Sequence, residues 1–468
     1  MTTLLRRILP LFVALLAVNG AYGADPASEL RDSLPAVWEY APEFQQSTPD
    51  NDSWWKRLND PTLDTLIASG INNNFDVITA IQRVKSARAQ LNAARAAYFP
   101  QISASGGWTK ARTSGLIMSR DGVAATESYW SLGLSASWEI DVFGKVTAQA
   151  RQAKASWQAS KADYDAMMVS VGAEIASAYV QLRVWQAELI VANEHIASQE
   201  RVVKIAEARH EAGLASALDV AQARTVYFST VATIPGLENS INTALNSLAT
   251  LLGIYADALP ASVTSPRPLP DCNMIVATGI PADLLRRRPD VVAAERQMAA
   301  ASAAVGVAKK EFLPSLSING QITTSAHDGR DLFKRQSIGY SIAPSLTWTV
   351  FSGFSRRARV AEAKAELEVA WASYNSTVMG AVTEVDNAMS DYLASLHSMD
   401  LIANVVSESK KSLDLSTDLY KSGNSSFTNV ADAQMSFLEY TNSLITAHGN
   451  ALSALITLYR SLGGGWGY

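Results

Sequence analysis

The chain is poor in cysteine and histidine and carries none of the common catalytic motifs. Its single cysteine, Cys272, excludes an intrachain disulfide framework and a cysteine-based zinc cluster. The five histidines are scattered along the chain, with no HExxH pattern or other paired spacing for a metal. A Gly-rich phosphate loop and a nucleophile elbow are also missing. These absences argue against an enzyme, a metal site and a bound cofactor.

Charge and long apolar runs are also scarce. The formal net charge is −5, which argues against nucleic acid as a partner. The chain is 48% hydrophobic and its mean hydropathy is +0.03, so it is typical neither of a disordered chain nor of a helical membrane protein. No segment is long and apolar enough to span a bilayer as a helix.

Residues 1–23 are typical of a secretory signal peptide. Arg6 and Arg7 supply the positive start, Ile8–Val18 the apolar core, and Ala21–Gly23 the small residues at the cleavage positions. A membrane anchor is the alternative, but the apolar run is too short to span a bilayer. Because no cysteine follows this segment, we expect export without a lipid anchor.

Two further segments lack regular periodicity. Residues 24–61 are rich in proline and contain the pair Trp54-Trp55, which predicts an extended arm packed on other elements. A disordered tail is the alternative for this segment. Residues 254–275 contain four prolines, which predicts a linker around the outside of a helical barrel.

The rest of the chain is a tandem duplication. Each copy contains an Asp followed by an Ala-rich helical pattern, and a Pro ends that pattern. The Asp of the second copy, Asp290, resembles a helix N-cap. The matched pairs are Asp76/Asp290 and Pro100/Pro314 at an offset of 214, then Trp138/Trp348, Glu174/Glu384, Gly213/Gly423 and Val220/Val430 at 210. The predicted copies span residues 62–253 and 276–463, and a short tail remains at 464–468.

Each copy contains two segments in which apolar and small polar residues alternate. In the clearest, 129–138, the apolar face consists of Trp130, Leu132, Leu134, Ala136 and Trp138. Four such segments of about ten residues, with tryptophans near their ends, match transmembrane β-strands. A soluble sandwich would alternate in the same way, but the apolar faces carry almost no charge. The polar segments near 110–128 and 325–337 are expected to connect the strands outside the cell.

A membrane sheet of four strands requires other chains. In lipid every backbone polar group needs a partner, so the sheet must close. Four strands are too few to enclose a lumen, and oligomerisation is therefore a physical requirement of this interpretation. The predicted fold class is mainly α with a membrane β-barrel.

Long helical segments follow the strands in both copies. The chain from Gly144 to Gly213 lacks proline and would extend roughly 100 Å as one helix at about 1.5 Å per residue. Gly213 and Gly423 predict helical hairpin turns, and Pro235 predicts a kink in the first returning helix. The 3/4 spacing of a packed face is shown by Ile175, Tyr179 and Leu182.

Five motifs carry a family resemblance. They are WWKRLNDPTLDTLI (54–67), SASWEIDVFGK (135–145), LLRRRPDVVAAERQ (284–297), EFLPSLSINGQ (311–321) and LYRSLGGGW (458–466). Together they resemble the TolC-like outer membrane efflux proteins, and more narrowly the NodT/OprM branch that serves resistance-nodulation-division (RND) pumps. The resemblance covers nearly the whole chain after the signal peptide.

This resemblance implies a homotrimer whose chains complete a 12-stranded barrel in the outer membrane. A long α-helical barrel with an equatorial domain would continue it across the periplasm. The family is not enzymatic and forms an exit duct for drugs or other small molecules. The implied partners are a periplasmic adaptor, an inner-membrane pump of the RND type and outer membrane lipids.

The resemblance also implies a periplasmic tip formed by the helical hairpins. The implied adaptor contacts are Arg209, Gly213, Leu214, Asp219, Tyr420, Gly423 and Val430. The family gate carries an Asp-Ala-Gln-Arg motif, which is matched here by Asp432 with Met435 in place of the arginine, and Thr428 falls on the apolar gate position. Carboxylates gathered by threefold symmetry could select cations or respond to pH. The alternative is that Asp432 is one solvated helix residue among many.

Three other functions stay open. A type I secretion duct for polypeptides would have the same architecture, although the LLRRRPD and LGGGW motifs favour the pump branch. A passive porin would have no need of the long helices. A structural coiled coil between envelope layers would have no need of the strand pairs.

Overall fold

The structure contains two copies of one helix–strand–strand–helix pattern. This computed structural model describes residues 38, 40–44, 53–113, 125–272, 276–278 and 287–464. The predicted signal peptide, most of the arm, residues 284–286 of the LLRRRPDVVAAERQ motif and the last four residues of the tail lie outside the described residues. The helices are α1 Pro61–Asn73, α2 Phe75–Ala96, α3 Lys145–Glu211, α4 Ala217–Val231, α5 Ile234–Leu251, α6 Ala261–Thr264, α7 Pro289–Lys310, α8 Ser355–Lys421 and α9 Phe427–Ser461. The strands are β1 Gln101–Thr113, β2 Ala125–Ile140, β3 Ser315–Ala326 and β4 Ile338–Thr347.

The two longest helices, α3 and α8, contain 67 residues each. At about 1.5 Å per residue, each extends roughly 100 Å, which confirms the predicted continuous helix. The predicted packed face is also confirmed, because Ile175, Tyr179 and Leu182 are all 0% exposed. Of the helices in the described part of the chain, none combines the length and the apolar character needed to cross a membrane.

The four predicted strands are present and form one antiparallel sheet in the order β1-β2-β3-β4. The register pairs Trp108 with Trp130 and Leu134 with Ile322. The pleat that carries these side chains is apolar and exposed, and the opposite pleat carries mainly Ser, Thr and Gly. At 16 residues, β2 is longer than the ten or so predicted. Among the residues that the structure describes, β1 and β4 each have one edge without a neighbouring strand.

The main hydrophobic core lies between the helices, and the described part of the arm packs on it. Trp54 and Trp55 are each 2% exposed. The Trp54 ring stacks on that of Tyr459 at 5.2 Å between centroids, and Phe44 lies 6.3 Å from Tyr392. These aromatic contacts join the arm to α8 and α9, as the prediction of a packed arm requires.

A buried arginine holds the linker on α3. Arg183 is 0% exposed and donates to the backbone carbonyls of Ser262 at 2.6 Å and Ser265 at 2.8 Å. Its guanidinium also lies 4.7 Å from the centre of the Tyr179 ring. A buried charge needs such compensation, so the linker is part of the packed structure around the middle of α3.

The helix starts differ from those predicted. Asp290 was expected to resemble an N-cap, but α7 begins one residue earlier at Pro289. That expectation was wrong because proline is pre-organised for the first helical position. The Asp290 carboxylate binds Arg288 instead, at 2.7 Å. In the first copy the cap of α2 is Asn74, whose side-chain oxygen accepts from the backbone N–H of Asp76 at 2.8 Å.

Two other positions break the symmetry of the copies. The predicted kink near Pro235 is a break between α4 and α5, and α9 runs without interruption for 35 residues. At the start of α3, Gly144 has a φ of +73°, as expected for a strand-to-helix junction. The equivalent residue in the second copy is Phe354, which has a φ of +67°.

Candidate functional site

Both hairpin turns at the far end of the helices are closed by a glycine. Gly213 and Gly423 have φ values of +72° and +77°, a region that side chains with a Cβ rarely adopt. The N–H of Leu214 donates to the Arg209 carbonyl at 2.8 Å, and the second turn repeats this bond at 2.9 Å. This is the usual glycine C-terminal cap of a helix, and it confirms the predicted turns.

A small hydrophobic core lies directly behind the turns. Its buried members are Val202, Ala206, Ala223, Val226, Tyr420, Phe427, Val430 and Ala431. Val430 is 0% exposed, so its side chain packs inside the tip instead of lying on its surface. The structure therefore corrects its expected role, because a fully buried side chain supports the tip and does not present a contact surface.

Three candidate tip residues contact one another across the two copies. The Arg209 guanidinium lies 5.0 Å from the centre of the Tyr420 ring and donates to the Lys421 carbonyl at 2.7 Å. The Tyr420 hydroxyl donates to the Asp219 carboxylate at 3.4 Å. Burial and the Asp219 charge raise the pKa of Tyr420, so it keeps its proton near neutral pH. These contacts fasten the first hairpin to the second.

The outer surface of the tip is formed by the remaining candidates. Leu214 is 67% exposed, and a Cβ on Gly213 would meet no atom within 4 Å. At Gly423 the nearest side-chain atom to such a Cβ is Arg209 Nη2, at 3.6 Å. An exposed leucine at a hairpin turn is the type of apolar anchor that a partner helix can cover.

The gate candidates lie on one exposed face of α9. Thr428 and Asp432 are four residues apart, so they share a helix face, and both are exposed. Asp432 lines an open, hydroxyl-rich groove between α8 and α9, with Glu408 on the opposite helix. Met435, which replaces the family arginine, is 53% exposed and adds no cation.

At the other end of α9, an ion-pair network holds the second copy together. Arg288 donates to Glu384 at 2.7 Å and to the Ser461 carbonyl at 3.0 Å, and Arg460 reaches Glu384 at 3.3 Å. Burial would lower the pKa of Arg288, but Asp290 and Glu384 raise it. This assigns Arg288, just before the start of α7, a structural role.

Sequence reasoning missed the buried role of Arg183. The signal that could have identified it is spacing, since Arg183 lies four residues after Tyr179 and thus on the same buried face. Cys272 is also buried, and burial together with the nearby Asp271 charge raises the pKa of its thiol to about 11. Such a thiol is a poor nucleophile.

Comparisons with known proteins agree with this geometry. Residues 66–254 and 280–464 match the family described as outer membrane efflux protein. Nodulation protein T of Rhizobium leguminosarum bv. viciae is 31% identical over 382 residues, which cover 82% of this chain and 78% of that protein. The pyoverdine export outer membrane protein OpmQ of Pseudomonas aeruginosa is 28% identical over 455 residues, which cover 96% and 94%.

The fold is also found among solved structures. That of the outer-membrane channel OprN superposes with a TM-score of 0.87 at 30% identity, covering 93% of this chain and 97% of that chain. The tandem-repeat fold is thus shared with an outer-membrane channel. The chain belongs to the outer membrane efflux protein family, in its NodT/OprM-type branch.

Proposed function

We propose that the chain forms, as a homotrimer, the outer membrane exit duct of a tripartite efflux system. A periplasmic adaptor and an inner-membrane pump of the RND type would complete the system. Drugs or other small molecules would pass through the duct, and the pump would supply the energy. The proposal includes no catalytic step and no cofactor.

The observation that carries this proposal is a four-stranded sheet with an exposed apolar pleat at one end of two 67-residue helices. The free edges of β1 and β4 need partners in lipid. Two chains would give a barrel of eight strands, whose interior is filled by side chains. Three chains would give twelve strands and leave a lumen. The Ser, Thr and Gly on the inner pleat would then line a wide, polar pore, together with the carboxylates of Glu127 and Glu139.

The helices support assembly independently of the sheet. On α8, Leu401, Val405, Leu415 and Leu419 are between 41% and 66% exposed, at spacings of four and ten residues that fit one heptad seam. On α4, Leu218 and Phe228 are 65% and 62% exposed. Exposed apolar side chains in a row need a partner surface. We assign these two rows to contacts between neighbouring chains of the assembly.

The direction of the molecule follows from its two ends. The apolar sheet would lie in the outer membrane, and the hairpins would reach roughly 100 Å into the periplasm, given about 1.5 Å per helical residue. Export by residues 1–23 is part of the proposal. The segments 24–61, 62–253, 254–275, 276–463 and 464–468 would be the arm, first repeat, equatorial linker, second repeat and tail.

At the tip, we assign adaptor contact to the surface around Leu214, Gly213 and Gly423. Arg209, Asp219 and Tyr420 would keep the two hairpins together beneath that surface. Asp432 and Thr428 would meet their symmetry copies in the lumen and close it. Exposure of both residues on one face of α9 supports this assignment.

The test combines assembly with export. The purified protein should have the mass of three chains by light scattering and should form discrete channels in a planar bilayer. In cells that lack their own exit duct, the protein with its adaptor and pump should lower the accumulation of a small dye. A monomer without conductance would refute the proposal, and export of a polypeptide without any effect on the dye would favour the secretion alternative.

A further inference from the structure

An aromatic pair marks one edge of the apolar sheet surface. Trp108 and Trp130 face each other across β1 and β2, with ring centroids 6.4 Å apart. They are 53% and 46% exposed and lie on the apolar pleat. Tryptophans in such positions mark the boundary between the hydrocarbon core and the lipid headgroups.

Two cations continue the same pleat beyond this boundary. Lys110 and Arg112 follow Trp108 by two and four residues, so at about 3.3 Å per residue they lie roughly 7 and 13 Å further along β1. That direction leads away from the helices, since β1 begins next to α2. Their cross-strand neighbours are Ser128 and Thr126. In the described part of the chain, neither cation has a recorded ion pair, and both are exposed.

The loop after β3 leans over this same surface. The His327 ring nitrogen Nδ1 lies 2.7 Å from the Ser128 carbonyl oxygen, and Gly329 lies beside the Trp130 indole. Arg330, the next residue of this loop, is exposed. Phe333, later in the loop, is 81% exposed. The acidic Glu127 is paired with Ala111 and therefore lies on the opposite pleat.

We propose that Lys110 and Arg112 form a binding site for the phosphates of the anionic glycolipid of the outer leaflet. This inference rests on the proposed outer membrane location. A guanidinium binds phosphate oxygens through two parallel hydrogen bonds, and a lysine beside it adds a point charge. The tryptophans would contact the acyl chains immediately below. Three copies would place three such sites around the barrel.

The test uses the full chain in detergent and counts bound lipids by native mass spectrometry. The probes are diphosphorylated lipid A, the same lipid after removal of its phosphates, and phosphatidylglycerol. Wild type should bind the diphosphorylated lipid best. The variant Lys110→Gln/Arg112→Gln should bind it about tenfold or more weakly, since each cation near an anionic surface contributes measurably to the affinity.

Matched variants separate this site from general charge. Lys364→Gln/Lys410→Gln removes two exposed lysines of α8 and should leave lipid A binding unchanged, whereas Lys110→Arg should preserve it. Light scattering and heat stability of each variant show that it is folded. Equal binding by wild type and the Lys110/Arg112 variant would overturn the inference, as would equal binding of the dephosphorylated lipid.

Two further outcomes are informative. Equally tight binding of phosphatidylglycerol, with the same dependence on Lys110 and Arg112, would overturn the assignment to the outer-leaflet glycolipid. A wild-type protein that conducts normally but shows no preference for phosphate would overturn this inference alone. A protein without conductance would instead count against the proposed function.

Discussion

The guanidinium of Arg209 lies 5.0 Å from the centre of the Tyr420 ring. Arg209 lies in the last turn of α3 and Tyr420 in the last turn of α8. This contact therefore joins the hairpins of the two repeats. The Tyr420 hydroxyl extends the contact to Asp219 on α4. The tip of one chain is thus a single unit, and any opening of a duct at this end must either move both hairpins together or break these contacts.

The first prediction concerns this link. Tyr420→Phe keeps the ring against Phe427, now at 5.3 Å, but removes the hydroxyl that reaches Asp219. Loss of a hydrogen bond of about 1 kcal/mol should raise the open-to-closed ratio of a closed tip about fivefold. Single-channel recording should show longer openings. The control is Tyr255→Phe, whose ring is 86% exposed; the idea fails if both variants conduct like wild type.

The second prediction concerns the gate. Asp432→Ala should increase the single-channel conductance, or the fraction of time open, because the carboxylates that would meet at the threefold axis are removed. The control Asp257→Ala removes an equally exposed charge far from the tip. A small, flickering conductance that rises only in Asp432→Ala supports the gate. A large, steady conductance in all three proteins would point to an open pore without a gate at Asp432.

Much of the fold could be predicted because the elements are long and locally encoded. The alternation over 129–138 and 315–323 fixes both the strands and their faces, since a shift of one residue would expose every apolar side chain on the wrong pleat. The absence of proline between Gly144 and Gly213 allows one continuous helix. The duplication then assigns the same architecture to the second copy.

The contacts of the candidate site were harder to predict from the sequence because they join residues of the two repeats. Tyr420 and Asp219 are 201 residues apart, and no local pattern indicates that they meet. In the sequence, Arg183 resembles any other cation on a helix. Only the structure shows that backbone carbonyls of the linker surround it. Val430 lies within one helical turn of exposed residues. Its distance in sequence from the hairpin turn therefore could not show whether its side chain is buried or available for contact.

The third prediction concerns acid sensitivity. Burial raises the pKa of Asp290, but the Arg288 side chain outweighs it and holds the pKa below its ordinary value. The ionised form therefore stabilises the folded state. This contribution is complete above the unfolded-state pKa, about 4, and is lost as the pH falls through the lower folded-state pKa.

Asp290→Asn should therefore lower the thermal midpoint at pH 7 but reduce the further loss between about pH 4 and the folded-state pKa. Circular dichroism melts at a series of pH values measure both effects. Asp257→Asn serves as the control, because its carboxylate is exposed and should change neither quantity. An identical acid profile for Asp290→Asn and wild type would contradict the prediction.

The fourth prediction separates backbone strain from steric contact. Gly253 and Gly213 have nearly the same φ, +67° and +72°, so alanine at either position should cost about 1–2 kcal/mol. A Cβ at Gly253 would also lie 2.6 Å from the Asn73 carbonyl oxygen, whereas a Cβ at Gly213 would meet nothing within 4 Å. Near Gly253, Asn74 Nδ2 donates to the Leu251 carbonyl at 2.9 Å, so α5 cannot move away without losing that bond.

Gly253→Ala should therefore lower the thermal midpoint clearly more than Gly213→Ala. The additional cost of the close contact should be about 1–3 kcal/mol, and partial loss of the folded protein would be its extreme form. Heat-induced unfolding of both variants, followed by circular dichroism in one detergent, measures the difference. Equal midpoints would mean that α1 and α5 separate easily at this junction. The Asn73 contact would then have no role in stabilising the packing of α1 against α5.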